Sequence, residues 1–199
     1  MKLETMVKRK ISNNIILYKI ITVFIFLNSS ISCYSQEKVV SDSILWQHDR
    51  PLKWSDFKGY PEKSPYNTIA RTYSNIRIID RYLDGRIPKY RIGSYFFTKK
   101  SWTTVKDSIT LKHEQVHFDI SELYARKIRK IFDSLNNNLI EDYRIYVEEA
   151  SKLINKANEV NSQYDSEVYF NEIKQKEWID SIAKELDSLK DYRYRAVNK

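Results

Sequence analysis

The apolar positions of this chain change period twice. Over Thr68–Asp80, "TIARTYSNIRIID", they alternate: Ala70, Thr72, Ser74, Ile76 and Ile78 point one way, and Ile69, Arg71, Tyr73, Asn75 and Arg77 the other. A period of two marks a strand. The Asp84-Gly85-Arg86 turn signal follows, and Tyr90–Thr98, "YRIGSYFFT", reads as a second strand pairing back antiparallel. Two strands alone are marginal, so this sheet needs a third strand or helices to lie on. From about Thr104 the spacing becomes helical. A first helix is expected to about Ser134, a break at Asn136–Asn138, a second helix over Leu139–Asn161 and a third over Asn171–Tyr192.

The stretches before the first strand are less regular. Residues 36–44 read as a polar lead-in. Leu45–Tyr66, "LWQHDRPLKWSDFKGYPEKSPY", is dense in Trp, Pro and turn formers, and reads as an irregular wrap. One short helix is expected near Trp54–Phe57, where Ser55 and Asp56 can cap. The predicted class is α+β: a small antiparallel sheet followed by three helices, in one domain over residues 36–199.

Residues 1–35 have a different character. Basic residues run up to Lys19, "IITVFIFL" (Ile20–Leu27) is uninterrupted apolar sequence, and "NSSISCYSQ" follows. Eight apolar residues fall short of the roughly 20 that a helix needs to span a bilayer. An export signal fits better than a stable transmembrane anchor, with Cys33 and Ser35 at the −3 and −1 positions for cleavage before Gln36. The alternative is a lipoprotein anchored through Cys33, although Ser30 stands where a lipobox carries Leu. Either reading puts the protein outside the cytoplasm. Cys33 is the single cysteine, so cleavage after Ser35 leaves a domain without disulfides.

Charge adds little to the functional picture. The formal net charge is +8, but residues 1–35 hold five of the 34 basic groups and one of the 26 acidic ones, leaving +4. The remaining charges alternate in sign, which argues against a nucleic-acid partner.

The chemistry concentrates in the first helix. His113-Glu114-Gln115-Val116-His117 is an H-E-x-x-H pattern, and it holds two of the three histidines. Ile109, His113, Val116, His117, Ile120, Leu123, Tyr124 and Ile131 form one stripe at steps of three and four, with Lys112, Gln115, Asp119, Glu122, Arg126 and Lys130 mainly elsewhere. Residues i and i+4 lie one turn apart, so two imidazole nitrogens can reach one ion at about 2.0–2.1 Å. Glu114 is rotated about 100° from His113. It can serve as general base toward a water at the ion. Two histidines on an apolar stripe can also be satisfied core residues, each hydrogen-bonded to a neighbour.

The wider stretch "KKSWTTVKDSITLKHEQVHFDISELYARKI" (Lys99–Ile128) resembles the DUF922 family of bacterial secreted zinc-dependent proteases. "LKWSDFKGYP" (Leu52–Pro61), "NTIARTYSNIRI" (Asn67–Ile78), "FFTKKSW" (Phe96–Trp102), "YDSE" (Tyr164–Glu167) and "KQKEW" (Lys174–Trp178) look like the family's other blocks, in the same order. The resemblance implies a zincin-like helix, a Zn2+ cofactor, His113 and His117 as ligands, Glu114 as the catalytic residue, and a peptide or protein substrate. The family's block before its Q-x-x-W run resembles Tyr-Asp-x-Glu-Thr-x-His-Gly, and its histidine suggests a third ligand. Here Phe170 stands at that position.

Four outcomes stay open for the third ligand: Glu167, which we favour on sequence, Asp165, His48 from the wrap, or an incomplete site. Asp119 and Glu122 can brace a histidine or pair with Arg126 and Lys130. Tyr124 and Tyr164 can donate to an oxyanion or simply pack. Trp54, Trp102 and Trp178 are expected core anchors. The competing function is a non-catalytic exported binding or structural protein, whose metal site is structural or degenerate.

Overall fold

The computed structural model describes residues 42–62, 68–169 and 171–194. The export segment with Cys33, and the Phe170 position, lie outside the described residues. The described residues belong to one unit, Asp42–Lys199.

Strands β1 (Ser43–Leu45), β3 (Ser74–Asp84) and β4 (Ile87–Phe97) form an antiparallel sheet in the order β1-β4-β3. A separate two-stranded ladder joins β2 (Ala70–Arg71) to β5 (Trp102–Thr103). The α+β class is as expected. The third strand that the hairpin needs is β1, pairing Ser43 with Phe97 and Leu45 with Tyr95. It lies where the sequence suggested the end of a polar lead-in and the start of an irregular wrap.

The β3–β4 hairpin turns on Gly85 and Arg86, with Asp84 paired to Ile87. Gly85 has φ +62 and open space around a would-be Cβ, so the backbone conformation, not crowding, selects glycine here. The strict alternation read from Thr68 to Asp80 fails in its second half. A register shift between Ile78 and Asp80 makes Ile79 the inward residue, its Cδ1 lying over Gly93, and leaves Ile78 exposed. A bulge of this kind moves all later side chains to the opposite face.

Three helices follow: α1 (Ser108–Asn137, 30 residues), α2 (Tyr143–Val168) and α3 (Glu172–Ser188). Asp107 caps α1, accepting from the Thr110 N–H at 2.8 Å and its hydroxyl at 2.9 Å. Helix α1 is the middle layer. The sheet packs on one side and α2 and α3 on the other. Phe96, Phe118, Ile120, Leu123 and Tyr164 share one buried cluster, and Ile92, Ala125, Ile128, Phe132 and Tyr146 a second.

This middle position corrects the single-stripe picture of α1. Every residue from Ile120 to Arg126 is buried, as befits a helix covered on both sides. Glu122 and Arg126 are therefore core residues and not solvated partners. Glu122 accepts from Arg126 Nε at 2.9 Å and from Arg129 NH1 and NH2 at 3.1 and 3.0 Å. The two arginines carry the network outward, Arg126 to the Leu186 carbonyl at 2.6 Å and Arg129 to the Ile92 carbonyl at 2.9 Å. The three layers are pinned together through one carboxylate. Ile109, expected inside, is exposed at the start of the helix.

The wrap straps the front of α1. Gln115 Oε1 accepts from the Leu52 N–H at 2.7 Å, and Asp119 Oδ1 from Trp46 Nε1 at 2.7 Å. The expected short helix is a 3-10 turn, Trp54–Asp56, capped by Asp56 through the Lys53 N–H. Of the three tryptophans expected as anchors, Trp102 is fully buried, while Trp54 and Trp178 are half-buried. From the other side Gln175 on α3 donates to the Ile109 carbonyl at 3.0 Å. The H-E-x-x-H turn is thus held from two directions.

Candidate metal centre

Helix α2 runs seven residues beyond the expected end at Asn161. That extension assembles the site. Positions 157, 161, 164, 165 and 168 recur at steps of three and four, so Ala157, Asn161, Tyr164, Asp165 and Val168 share the face toward α1. Ala157, Tyr164 and Val168 enter the core, and Asn161 and Asp165 meet the histidines.

His113 Nε2 lies 3.2 Å from Asp165 Oδ1, His117 Nε2 lies 3.0 Å from the same oxygen, and the two Nε2 atoms are 3.1 Å apart. Three ligand-type atoms therefore stand at the corners of a nearly equilateral triangle. Arms of about 2.0–2.1 Å in a tetrahedral site give ligand–ligand edges of about 3.3 Å. The triangle is within a few tenths of an ångström of that size. Two imidazoles and one carboxylate are also the donor set that zinc takes at sites open to a fourth ligand.

The surroundings favour positive charge at the centre of this triangle. Burial pushes the His117 pKa down, but the hydrogen bond and charge of Asp165, then the charge of Glu114 and the bond to Asn161, more than reverse it. Burial likewise lifts the Asp165 carboxyl, and its bonds to His113 and His117 overcome that and hold it well below the usual range. Glu114 is only 3% exposed, and its Oε2 is buried without a hydrogen-bond partner. An orphaned buried carboxylate oxygen costs roughly 1–3 kcal/mol or more, which a cation beside it would offset. The donor set and this orphaned oxygen both fit a divalent ion.

Tyr164 is the platform under the site. Its ring stacks on His113 at 4.7 Å between centroids with a 25° tilt, and meets His117 edge-on at 5.1 Å. Burial, aided by the charges of Asp165, Glu114 and Asp119, pushes its phenol far up, so it stays neutral. Its hydroxyl is buried and unpartnered, which takes it out of reach of a substrate and leaves packing as its role. Tyr124 is a core residue with Lys127 Nζ 4.5 Å over its ring.

The structure brings Asp165, and not the favoured Glu167, to the two histidines. Glu167 stands on the outer side of α2, accepting from Gln163 Nε2 at 2.7 Å and from Trp178 Nε1 at 2.9 Å. It steadies Trp178, which packs edge-on against Tyr164 at 5.5 Å, and so reaches the histidines only through two aromatic rings. The physical reason is rotation: two residues along a helix are about 200° apart, so Asp165 and Glu167 cannot face the same partner. His48 is exposed beside Trp46 and is outside the cluster. Asp119 and Glu122 do not brace a histidine either. Asp119 is taken by Trp46 and Gln115, and Glu122 by the two arginines.

Sequence reasoning missed Asn161. Its Oδ1 lies 2.7 Å from His117 Nδ1, and its Nδ2 donates to the Ala157 carbonyl at 2.9 Å. The i, i+4 spacing of Asn161 and Asp165 mirrors that of His113 and His117, a signal available once α2 is continued past residue 161. No family model, no curated protein and no solved structure matches the chain.

Proposed function

We propose that the protein is a zinc-dependent hydrolase acting on peptide bonds, with His113, His117 and Asp165 as metal ligands and Glu114 as general base. One observation carries the reading: three ligand atoms 3.0–3.2 Å apart, together with a buried carboxylate oxygen on the intervening helix position, Glu114 Oε2, that has no hydrogen-bond partner. A divalent ion held by His113, His117 and Asp165 would supply Lewis acidity to a water and to a substrate carbonyl. Glu114 takes the proton from the attacking water and returns it to the leaving amine. Tyr164 keeps the His113 ring in place, and the Gln115, Asp119 and Gln175 bonds fix the turn that carries the motif. The resemblance of Lys99–Ile128 to secreted zinc proteases supports peptide as the substrate class, and the export pattern of residues 1–35 supports action outside the cytoplasm. Among the described residues no helix is long and apolar enough to cross a membrane.

The test pairs metal analysis with a peptide-library digest run with and without a chelator. The wild type should bind one zinc per chain and cleave only without chelator. Glu114→Gln should keep the zinc and lose about 10²–10⁴-fold in rate. Undiminished cleavage by that variant overturns the mechanism. Zinc uptake with no cleavage of any peptide reduces the site to a structural one.

A further inference from the structure

We propose that Asn161 is a positioning residue: it fixes neutral His117 as the Nδ1–H tautomer and so turns a bare Nε2 lone pair toward the cation. This rests on the reading of the cluster as a metal site.

The inference follows from counting hydrogens. Asn161 has one group that donates and one that accepts. Its Nδ2 donates to the Ala157 carbonyl 2.9 Å away, four residues back on the same helix. A carbonyl oxygen only accepts, so the amide cannot be flipped without setting oxygen against oxygen. Oδ1 is therefore the atom facing His117, 2.7 Å from Nδ1. An acceptor at that distance requires Nδ1 to carry a hydrogen. In neutral imidazole the other nitrogen is then unprotonated. That other nitrogen, Nε2, is the one that points at His113 Nε2 and Asp165 Oδ1. Without a cation the Asp165 carboxylate, 3.0 Å away, competes for the ring hydrogen. A cation in the triangle ends that competition and leaves the Asn161 oxygen to hold it.

The consequence is energetic as well as geometric. Neutral imidazole free in water populates both tautomers, and only one of them presents Nε2 to a metal. A ligand imidazole whose far N–H is held by an oxygen is locked in ring orientation, and losing that oxygen typically costs 10–100-fold in affinity. Asn161 differs from an ordinary packing residue because its amide direction is set by α2 itself. The same helix supplies the third ligand one turn later, at Asp165. Helix α2 therefore contributes one ligand and the orientation of another.

Tautomers are read by NMR from histidine side-chain 15N shifts in metal-free protein at pH 8.5 carrying Asp165→Ala, which removes the competing acceptor. Zinc affinity is measured with Asp165 intact, by competition with a chromophoric chelator. With Asn161 present, His117 should carry its hydrogen on Nδ1. Asn161→Leu should give a mixed tautomer and a zinc affinity about 10–100-fold weaker. Asn161→Asp keeps an acceptor at the same place, and should restore the tautomer and bind zinc within a few-fold of wild type or tighter. A hydrogen on Nε2 with Asn161 present and the Asp165 carboxylate removed overturns the proposal. So does equal zinc affinity across all three proteins, or equal loss in both variants, which marks a merely structural residue. Failure of the wild type to bind zinc overturns the hydrolase reading, and the NMR arm still decides the proton placement by itself.

Discussion

Replacing Asp165 by Asn removes one negative charge from the cluster while leaving side-chain shape almost unchanged. Its side chain is 57% exposed, so the interaction with an ion is best weighed at a water-like dielectric. A carboxylate oxygen about 2.1 Å from a divalent charge then contributes about 4 kcal/mol, or roughly a thousandfold in affinity. Glu167→Gln is the matched control. It has the same charge change two residues away, on a carboxylate engaged by Gln163 and Trp178, and should alter zinc affinity by no more than about threefold. Competition titration against a chromophoric chelator at pH 8 measures both. A Glu167→Gln variant that loses affinity while Asp165→Asn keeps it would refute the site described here.

The same substitution has a metal-free signature. Asp165 is the strongest influence raising His117. A histidine with a raised folded pKa contributes stability that is fully present below its unfolded pKa of about 6.5 and is lost as pH rises through the folded value. The metal-free wild type should lose stability across that window, and Asp165→Asn should flatten the loss.

Two further predictions concern the frame around the site. Burial lifts Asp119 to about 6 despite the bonds donated by Trp46 and Gln115; a carboxyl raised in this way loses stability as pH climbs from about 3.9 to about 6, a penalty of about 3 kcal/mol that is complete at neutral pH. Urea denaturation of metal-free protein should show Asp119→Asn gaining on wild type by up to that amount between pH 4 and pH 8, and a constant difference would refute the assignment. Glu122→Gln leaves Arg126 and Arg129 without their shared counter-charge in the core and should cost about 3–5 kcal/mol by denaturation; a loss under about 1 kcal/mol would show the network to be dispensable.

What the sequence disclosed, and what it withheld, divides along a physical line. The H-E-x-x-H spacing, the hairpin at Gly85 and the α+β class are local, set by turn chemistry and by periods of two and 3.6, and each is legible in a few residues. The bulge at Ile79 was hidden because an Ile-Ile pair satisfies either register; only packing against Gly93 selects one. Glu122 and Arg126 look like a solvated i, i+4 pair, and nothing local says that the sheet and α3 cover both sides of that turn. β1 is three residues long, too short to carry a period, and is a strand because β4 has a free edge to pair with.

The third member of the His113–His117 cluster is the instructive case, because its identity hung on one helix boundary. Ending α2 at Asn161 leaves Tyr164–Glu167 as loop, where Asp165 and Glu167 are equally able to reach inward. Continuing it to Val168 puts the two carboxylates on opposite sides and makes the choice geometric. The continuation has a local basis as well, since Gln163 and Glu167 pair at i, i+4, and Asn161 and Asp165 stand at the same spacing across from the two histidines. A site built from two helices thus needs both of their phases. The chain states the phase of α1 in five residues, whereas that of α2 emerges only from the Ala157, Asn161, Tyr164 and Val168 series that locks against α1.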